Sequence, residues 1–170
     1  MAYEGIEKLA KKSTEVKELV TELKQTYNRV DIKYVGDYEP QYAHSGDSGF
    51  DFICLEKTRV YPGQTVLIKT GLYFEIPEGF EVQVRPRSGL SLRTKLRVAN
   101  SPGTIDSGYR NEVGVIITNH GKEKVILQKG EKFAQGVVCP VFRANFIKVD
   151  KLDDSERGLG GFGSTDKEVK

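Results

Sequence analysis

The 170-residue chain has no tryptophan, one methionine, two histidines and two cysteines. Histidines at 44 and 120 are too few and too poorly placed for a histidine-built metal centre or a Ser–His–Asp triad. Cys54 and Cys139 are far apart, each in an apolar run, which predicts two buried free thiols in a reducing compartment rather than a disulfide. There is no run of ~18 apolar residues, so no membrane helix is expected. The first residues alternate charged and apolar positions and lack the apolar centre of a secretory signal. Excess charge is missing too: 26 Lys and Arg against 24 Asp and Glu leave +2, which excludes a molecule that binds nucleic acid through bulk charge. What is present, 38% apolar and 29% charged residues, is the composition of a folded chain and not a disordered one. The expectation is one cytoplasmic domain, long enough to bury a real core.

The chain changes period once. Ile6, Leu9, Ser13, Val16, Val20, Leu23 and Tyr27 recur at alternating spacings of three and four, with Lys and Glu between them. This predicts an amphipathic helix, which lies on its own domain, pairs with another subunit or stands as an extension. From Val30 the period becomes two, as in "VDIKYV" and "FEVQVRP", with turn signals "YPGQ", "IPEG", "SPGT", "NHGK" and "QKGE" between such runs. Strands at this spacing, without a second helical pattern, predict a β-sandwich, barrel or jelly roll. From Asp153 the chain is polar and Gly-rich, which predicts a flexible arm.

The chemistry-bearing stretches contain carboxylates, arginines, hydroxyls and glycines. "RGLGGFGSTD" near the C-terminus has the backbone freedom, the Arg157 fork and the Ser164 and Thr165 hydroxyls that suit a phosphate. It lacks the Lys and the following helix of a Walker loop, and a plain glycine tail fits equally well. Phe162 among its glycines has little to pack on locally, but suits closure over a flat ring. "RPRSGLSLR" gathers Arg85, Arg87 and Arg93 around Ser88 and Gly89, either an anion cradle or a solvated face. Asp51 in "DSGFDF" and Gln135 in "GEKFAQGVV" lie among apolar neighbours, where each needs a partner. "NSPGTIDSGYRNEV" contains a tight turn at Pro102–Gly103, then Asp106 and Tyr109. Together these are the kit for a magnesium-borne polyphosphate.

In order and spacing, "DSGFDF", "RPRSGL", "NSPGTIDSGYRNEVGV", "GEKFAQ" and "RGLGGFGST" resemble the five motifs of the trimeric dUTPase family, over residues 30–166. The resemblance implies an all-β, distorted jelly-roll β-barrel spanning 30–152 and a Gly-rich arm in 153–170; the amphipathic helix expected in 1–29 lies outside the family core. It implies hydrolysis of dUTP to dUMP and pyrophosphate by a homotrimer whose sites are shared between subunits. Asp51 would hold a water on Mg²⁺. Arg87, Ser88 and Gly89 would grip phosphate oxygens, and Gln135 the α-phosphate. Asn100, Gly103, Thr104 and Ile105 would lie on the hairpin that reads uracil, with Asp106 deprotonating the attacking water. Tyr109 would pack on the deoxyribose and exclude a 2′-hydroxyl. In the arm, Arg157 would meet the γ-phosphate and Phe162 stack on uracil, within the loop of Gly161, Gly163, Ser164 and Thr165. The arm would then close as a lid and exclude water.

Three positions depart from the family pattern. Gly136 follows Gln135 where an apolar residue is usual and is expected to loosen its strand. Asn111 and Asp166 each replace a usual Gly. The rival dCTP deaminase branch shares the jelly roll, but would not explain an intact Asp106–Tyr109 pair. A binding-only relative would not need every catalytic position filled, and a jelly-roll structural protein would have no use for the arm.

Overall fold

The two-residue period that begins after Val30 folds into eleven strands among the described residues. The structure is a computed structural model and describes residues 12–18 and 29–161. Residues 12–18 are helical (α1) and exposed throughout; Ile6, Leu9, Val20, Leu23 and Tyr27 of the expected helix lie outside the described residues. The strands are β1 (Lys33–Gly36), β2 (Gly49–Ile53), β3 (Thr58–Val60), β4 (Thr65–Lys69), β5 (Leu72–Glu75) and β6 (Phe80–Pro86). After a short helix, α2 (Ser88–Arg93), come β7 (Leu96–Val98), β8 (Gly103–Ile105), β9 (Gly114–Asn119), β10 (Val125–Leu127) and β11 (Lys132–Pro140). Every pairing is antiparallel. No described helix is long and apolar enough to cross a membrane.

The strands form four sheets, ordered β1-β5, β10-β3, β2-β11-β6-β8 and β4-β9-β7. The fold is all-β and jelly-roll-like, with open sheets where a closed barrel was expected. Turn glycines in "YPGQ", "IPEG" and "QKGE" take left-handed backbone, with φ of +71°, +85° and +79°. "NHGK" is pinned differently: fully buried Asn119 donates to the Val60 and Glu123 carbonyls and accepts from Gly121 N–H. A buried amide with these bonds made stabilises the turn it spans.

Alternation along the four-stranded sheet separates core from site. Phe50, Phe52, Val82, Val84 and Ile105 face inward and are buried. The Phe50 ring meets Phe52 and Phe74 edge to face at centroid distances of 5.3 and 5.9 Å. Gly136 pairs with Phe50 on one side and Val84 on the other. A Cβ on Gly136 would collide with the Phe50 ring, 2.7 and 2.8 Å from its Cε atoms. The missing side chain therefore makes room for an aromatic ring in the core, and the strand is packed and not loosened. Gly136→Ala is expected to cost about 1–3 kcal/mol by overpacking. A thermal melt showing an unchanged or higher midpoint would contradict this.

Two further expectations change. "VDIKYV" was read as a strand with Val30, Ile32 and Tyr34 on one face; β1 instead runs Lys33–Gly36 and all four residues are exposed. Among the described residues its one strand partner is β5, through Lys33↔Glu75 to Gly36↔Leu72. Both cysteines are free as expected, but only Cys54 is buried. Burial, then the Glu131 charge, pushes the Cys54 thiol up to about 12, which keeps it protonated and inert. Cys139 is half-buried, with Arg85 Nη2 3.5 Å from its sulfur. Beyond β11, residues 141–161 form no strand.

Candidate active site

On the outward face of the four-stranded sheet, register places Asp51 (β2), Gln135 (β11) and Arg85 (β6) side by side. This row is polar because the two-residue period that buries Phe50 and Phe52 must turn Asp51 outward. At the end of β6, Arg87 Nε lies 2.8 Å from Asp51 Oδ1, and Lys132 Nζ lies 2.7 Å from Asp51 Oδ2. The Asp51 side chain is 14% exposed, so these cations meet the requirement that a sequestered carboxylate be paired. Arg87 is held a second time, donating from Nη1 to the Lys132 carbonyl at 3.1 Å. Gln135 Nε2 donates to the Pro86 carbonyl at 2.9 Å. Gly49 lets the Gln135 amide lie against the β2 backbone, where a Cβ would strike Gln135 Oε1.

These groups surround a polar cleft of about 450 Å³, lined by Asp51, Arg85, Arg87, Ser88, Gly89 and Gln135 together with Ala43, Asp47, Ser48, Gly49 and Val137. Three separate sequence stretches thus meet in one cradle. Lys132 was missed as a candidate; its signal, a cation three residues before Gln135, acquires meaning only through the β2–β11 register and the irregularity between Lys132 and Ala134.

A second cleft, of about 180 Å³, is lined by Val84, Asn100, Gly103, Thr104, Ile105, Tyr109, Val113, Gly114 and Val115. Gly103 is opposite Val84 in the β6–β8 ladder, and a Cβ there would sit 3.2 Å from Asn100 Nδ2. The small residue leaves room for the Asn100 amide beside it in the cleft lining. Asp106 follows β8 and is exposed, and its carbonyl accepts the Tyr109 N–H at 3.0 Å. Among the described residues its carboxylate has no hydrogen bond or ion pair. The Tyr109 hydroxyl donates to the Glu112 carbonyl at 2.9 Å, which turns the ring back over its own loop. Glu112 was also missed. Gly71 N–H and then Lys69 hold its carboxyl below the usual carboxylate range.

Of the expected arm residues, Arg157 and Gly161 are described. Neither lines either of these two clefts, and Arg157 Nε donates within the arm to the Gly160 carbonyl at 2.8 Å. Phe162, Gly163, Ser164 and Thr165, with Asp166, lie outside the described residues. A larger groove, about 590 Å³, is elsewhere: Tyr34, Val35, Tyr73 and Arg110 line it along β1 and β5, and it contains none of the expected site residues.

The sequence profile of the dUTPase family matches residues 38–166. A deoxyuridine 5'-triphosphate nucleotidohydrolase of Alkaliphilus metalliredigens is 51% identical over 126 residues, covering 74% of this chain and 88% of the relative. One from Clostridium tetani is 49% identical over 128 residues, covering 75% and 88%. Among solved structures, the Staphylococcus bacteriophage 80alpha dUTPase with dUPNHPP superposes with a TM-score of 0.69 at 29% identity, over 81% of this chain and 98% of that one. The dUTPase of phage phi11 of S. aureus, described with a structural Mg(II) ion, has a TM-score of 0.66 at 24% identity, over 71% and 97%.

Proposed function

This chain belongs to the dUTPase family, and from that premise we propose how its residues hydrolyse dUTP. The protein is a dUTP diphosphatase, converting dUTP to dUMP and pyrophosphate. The observation carrying the reading is that four separated sequence stretches line two clefts, one holding Arg85 and Arg87 and the other narrow. Hydrolysis of a phosphoanhydride needs charge neutralisation and alignment more than a strong base.

In this reading the triphosphate lies in the cradle. Arg87, Ser88 and Gly89 grip its oxygens, and Gln135 meets the α-phosphate. The base enters the second cleft, where Asn100, Gly103, Thr104 and Ile105 read uracil and leave no room for a 5-methyl group. Tyr109 packs its ring on the deoxyribose, because its hydroxyl is already committed to the Glu112 carbonyl. Asp106, whose carboxylate has no partner among the described residues, takes the proton from a water as the water attacks the α-phosphorus. The bond from that phosphorus to the oxygen bridging to the β-phosphate breaks, and pyrophosphate leaves.

The donor set fits magnesium arriving on the nucleotide. Among the described residues no three His, Cys, Asp or Glu side chains cluster as a cage; Asp47 and Asp51 both line the cradle, and Asp51 is the one paired with Gln135 in the strand register. Mg²⁺ retains waters and binds through one or two carboxylates plus substrate phosphates. When bound it would neutralise charge on the leaving pyrophosphate, with Asp51 holding one of its waters. For that to happen Arg87 and Lys132 must shift from Asp51 toward phosphate oxygens.

The reading also assigns a homotrimer with shared sites, on a core of residues 30–152 with the extension 1–29 and the arm 153–170. Adjacent residues Val84 and Arg85 point to opposite faces of β6, and each lines a different cleft. The two clefts have no residue in common, so one nucleotide joining a base cleft to a phosphate cradle is best served by two chains. Phe142 and Phe146 are each 93% exposed in a strand-less segment, the state of a segment awaiting cover from another copy. Free thiols fit a reducing compartment, and the reading places the enzyme in the cytoplasm.

Pyrophosphate release measured across dUTP, dTTP, dCTP and UTP tests the reading. dUTP alone should turn over quickly, with no ammonia from dCTP. Comparable turnover of dTTP or UTP would overturn the assignment of the narrow cleft.

A further inference from the structure

The β4/β9 ladder ends at the pair Lys69↔Gly114, and just beyond it the chain reverses. Thr70 gives both its N–H and its hydroxyl to the Val113 carbonyl, at 3.1 and 2.8 Å. Val113 N–H in turn donates to the Leu72 carbonyl at 2.8 Å. Between Thr70 and Leu72 stands Gly71 at φ +68°, left-handed backbone that favours glycine. A Cβ there would also strike the Leu55 side chain at 2.7 Å. This twist turns the Gly71 N–H away from the ladder, and its acceptor is a side chain: Glu112 Oε1, at 2.9 Å. The other oxygen of the same carboxylate lies 3.1 Å from Lys69 Nζ.

Glu112 therefore joins the β4–β5 turn to its own loop through three groups. Its carboxylate is tied to the β4–β5 turn, its N–H is taken by Asn111 Oδ1 at 2.8 Å, and its carbonyl receives the Tyr109 hydroxyl at 2.9 Å. On its N-terminal side Tyr109 forms one wall of the narrow cleft; on its C-terminal side Val113, Gly114 and Val115 form another. We propose that Glu112 is a positioning residue for nucleotide selection: it fixes where the Tyr109 ring stands relative to the opposite wall, and so whether a ribose can enter. The inference rests on the assignment of Tyr109 to the sugar.

The bonds of Glu112 are separable from those that hold the fold. The Thr70–Val113–Leu72 bonds persist without the carboxylate, and its side chain is 15% exposed, so water can reach a vacated Gly71 N–H. Loss of the carboxylate thus releases the loop rather than the strand. Charge-assisted bonds of this kind fix geometry more firmly than neutral ones.

The test uses the complete chain with Glu112→Ala, Glu112→Gln, Lys69→Met, Tyr109→Phe and Tyr109→Ala. kcat and KM are measured separately for dUTP and UTP, with a thermal melt of each variant. Tyr109→Ala should narrow the dUTP/UTP ratio of kcat/KM most. Glu112→Ala should narrow it about tenfold, as a modest displacement of a positioning wall does, chiefly through a raised KM for dUTP. Glu112→Gln keeps an oxygen for Gly71 N–H and should recover most of the ratio. Lys69→Met should give a smaller narrowing in the same direction. Tyr109→Phe, which deletes only the bond to the Glu112 carbonyl, should match Glu112→Ala.

A purely structural role would lower activity on both nucleotides alike and leave the ratio at the wild-type value, which overturns the inference. A wild-type ratio in Tyr109→Phe overturns it too, because Glu112 would then not act through Tyr109. If Tyr109→Ala leaves the ratio unchanged, the sugar assignment falls and the inference with it; if Tyr109→Ala narrows it and Glu112→Ala does not, only the inference falls. Should Glu112→Ala fail to fold, Lys69→Met and Tyr109→Phe decide by the same ratio.

Discussion

Asp106→Asn is expected to reduce turnover of dUTP by about a hundredfold or more, the scale of general-base removal, while nucleotide affinity is nearly retained. The substitution keeps size and hydrogen-bonding capacity and removes the charge that accepts the proton. Asp106 is suited to the role because it stands exposed just after β8, with no partner for its carboxylate among the described residues. Its backbone is placed by the Val84↔Gly103 to Val82↔Ile105 ladder and by the Tyr109 N–H bond to its carbonyl, neither of which the substitution touches. The melting midpoint should therefore stay close to that of the unaltered protein. Steady-state pyrophosphate release gives kcat, and calorimetry with a non-hydrolysable dUTP analogue gives affinity. Undiminished kcat would move the base elsewhere; a lost affinity with kcat retained at saturation would make Asp106 a binding group.

Mixed trimers should show activity where both parents show almost none. One parent carries Asp106→Asn, and the other ends at Glu156 and so lacks Arg157 and Phe162. Among the described residues of a single chain Arg157 bonds within the arm, and it lines neither cleft. If the arm of one subunit serves the Asp106 of another, equal co-expression makes each component intact about half the time. Roughly a quarter of sites are then complete, by the combinatorics of a cyclic trimer. If arm and Asp106 come from the same chain, no mixed site is ever complete. Activity near a quarter of the unaltered level supports sharing. Activity no higher than the parents', with mixed trimers confirmed by mass spectrometry, rules it out.

Much of the candidate site was legible in the local residue order. Asp51 and Gln135 stood out because each interrupts an apolar stretch, and Arg87, Ser88 and Gly89 because arginines cluster around a Ser-Gly pair; the three stretches line one cradle. Asn100, Gly103, Thr104, Ile105 and Tyr109 likewise fall on one narrow cleft. The two-residue period was sufficient for an all-β fold, since a strand buries every second side chain and leaves the alternate ones outward.

What the linear order could not supply was who stands opposite whom. Lys132 becomes the counter-ion of Asp51, 81 positions earlier in the chain, only through strand pairing and a register irregularity. Glu112 meets Gly71 from 41 residues away, at an N–H that a left-handed turn takes out of the ladder. Gly136 looked like a loosening in its own strand, yet the ring that fills its place belongs to Phe50 on the neighbouring strand. β1 shows the same limit from the other side: the alternation was legible, but among the described residues β5 is its one strand partner and all four residues are exposed. Period is a property of one strand and can be read from residues that are neighbours in the chain. Register and sheet edges are properties of pairs, set by backbone hydrogen bonds that every residue offers alike, so only the folded chain decides them.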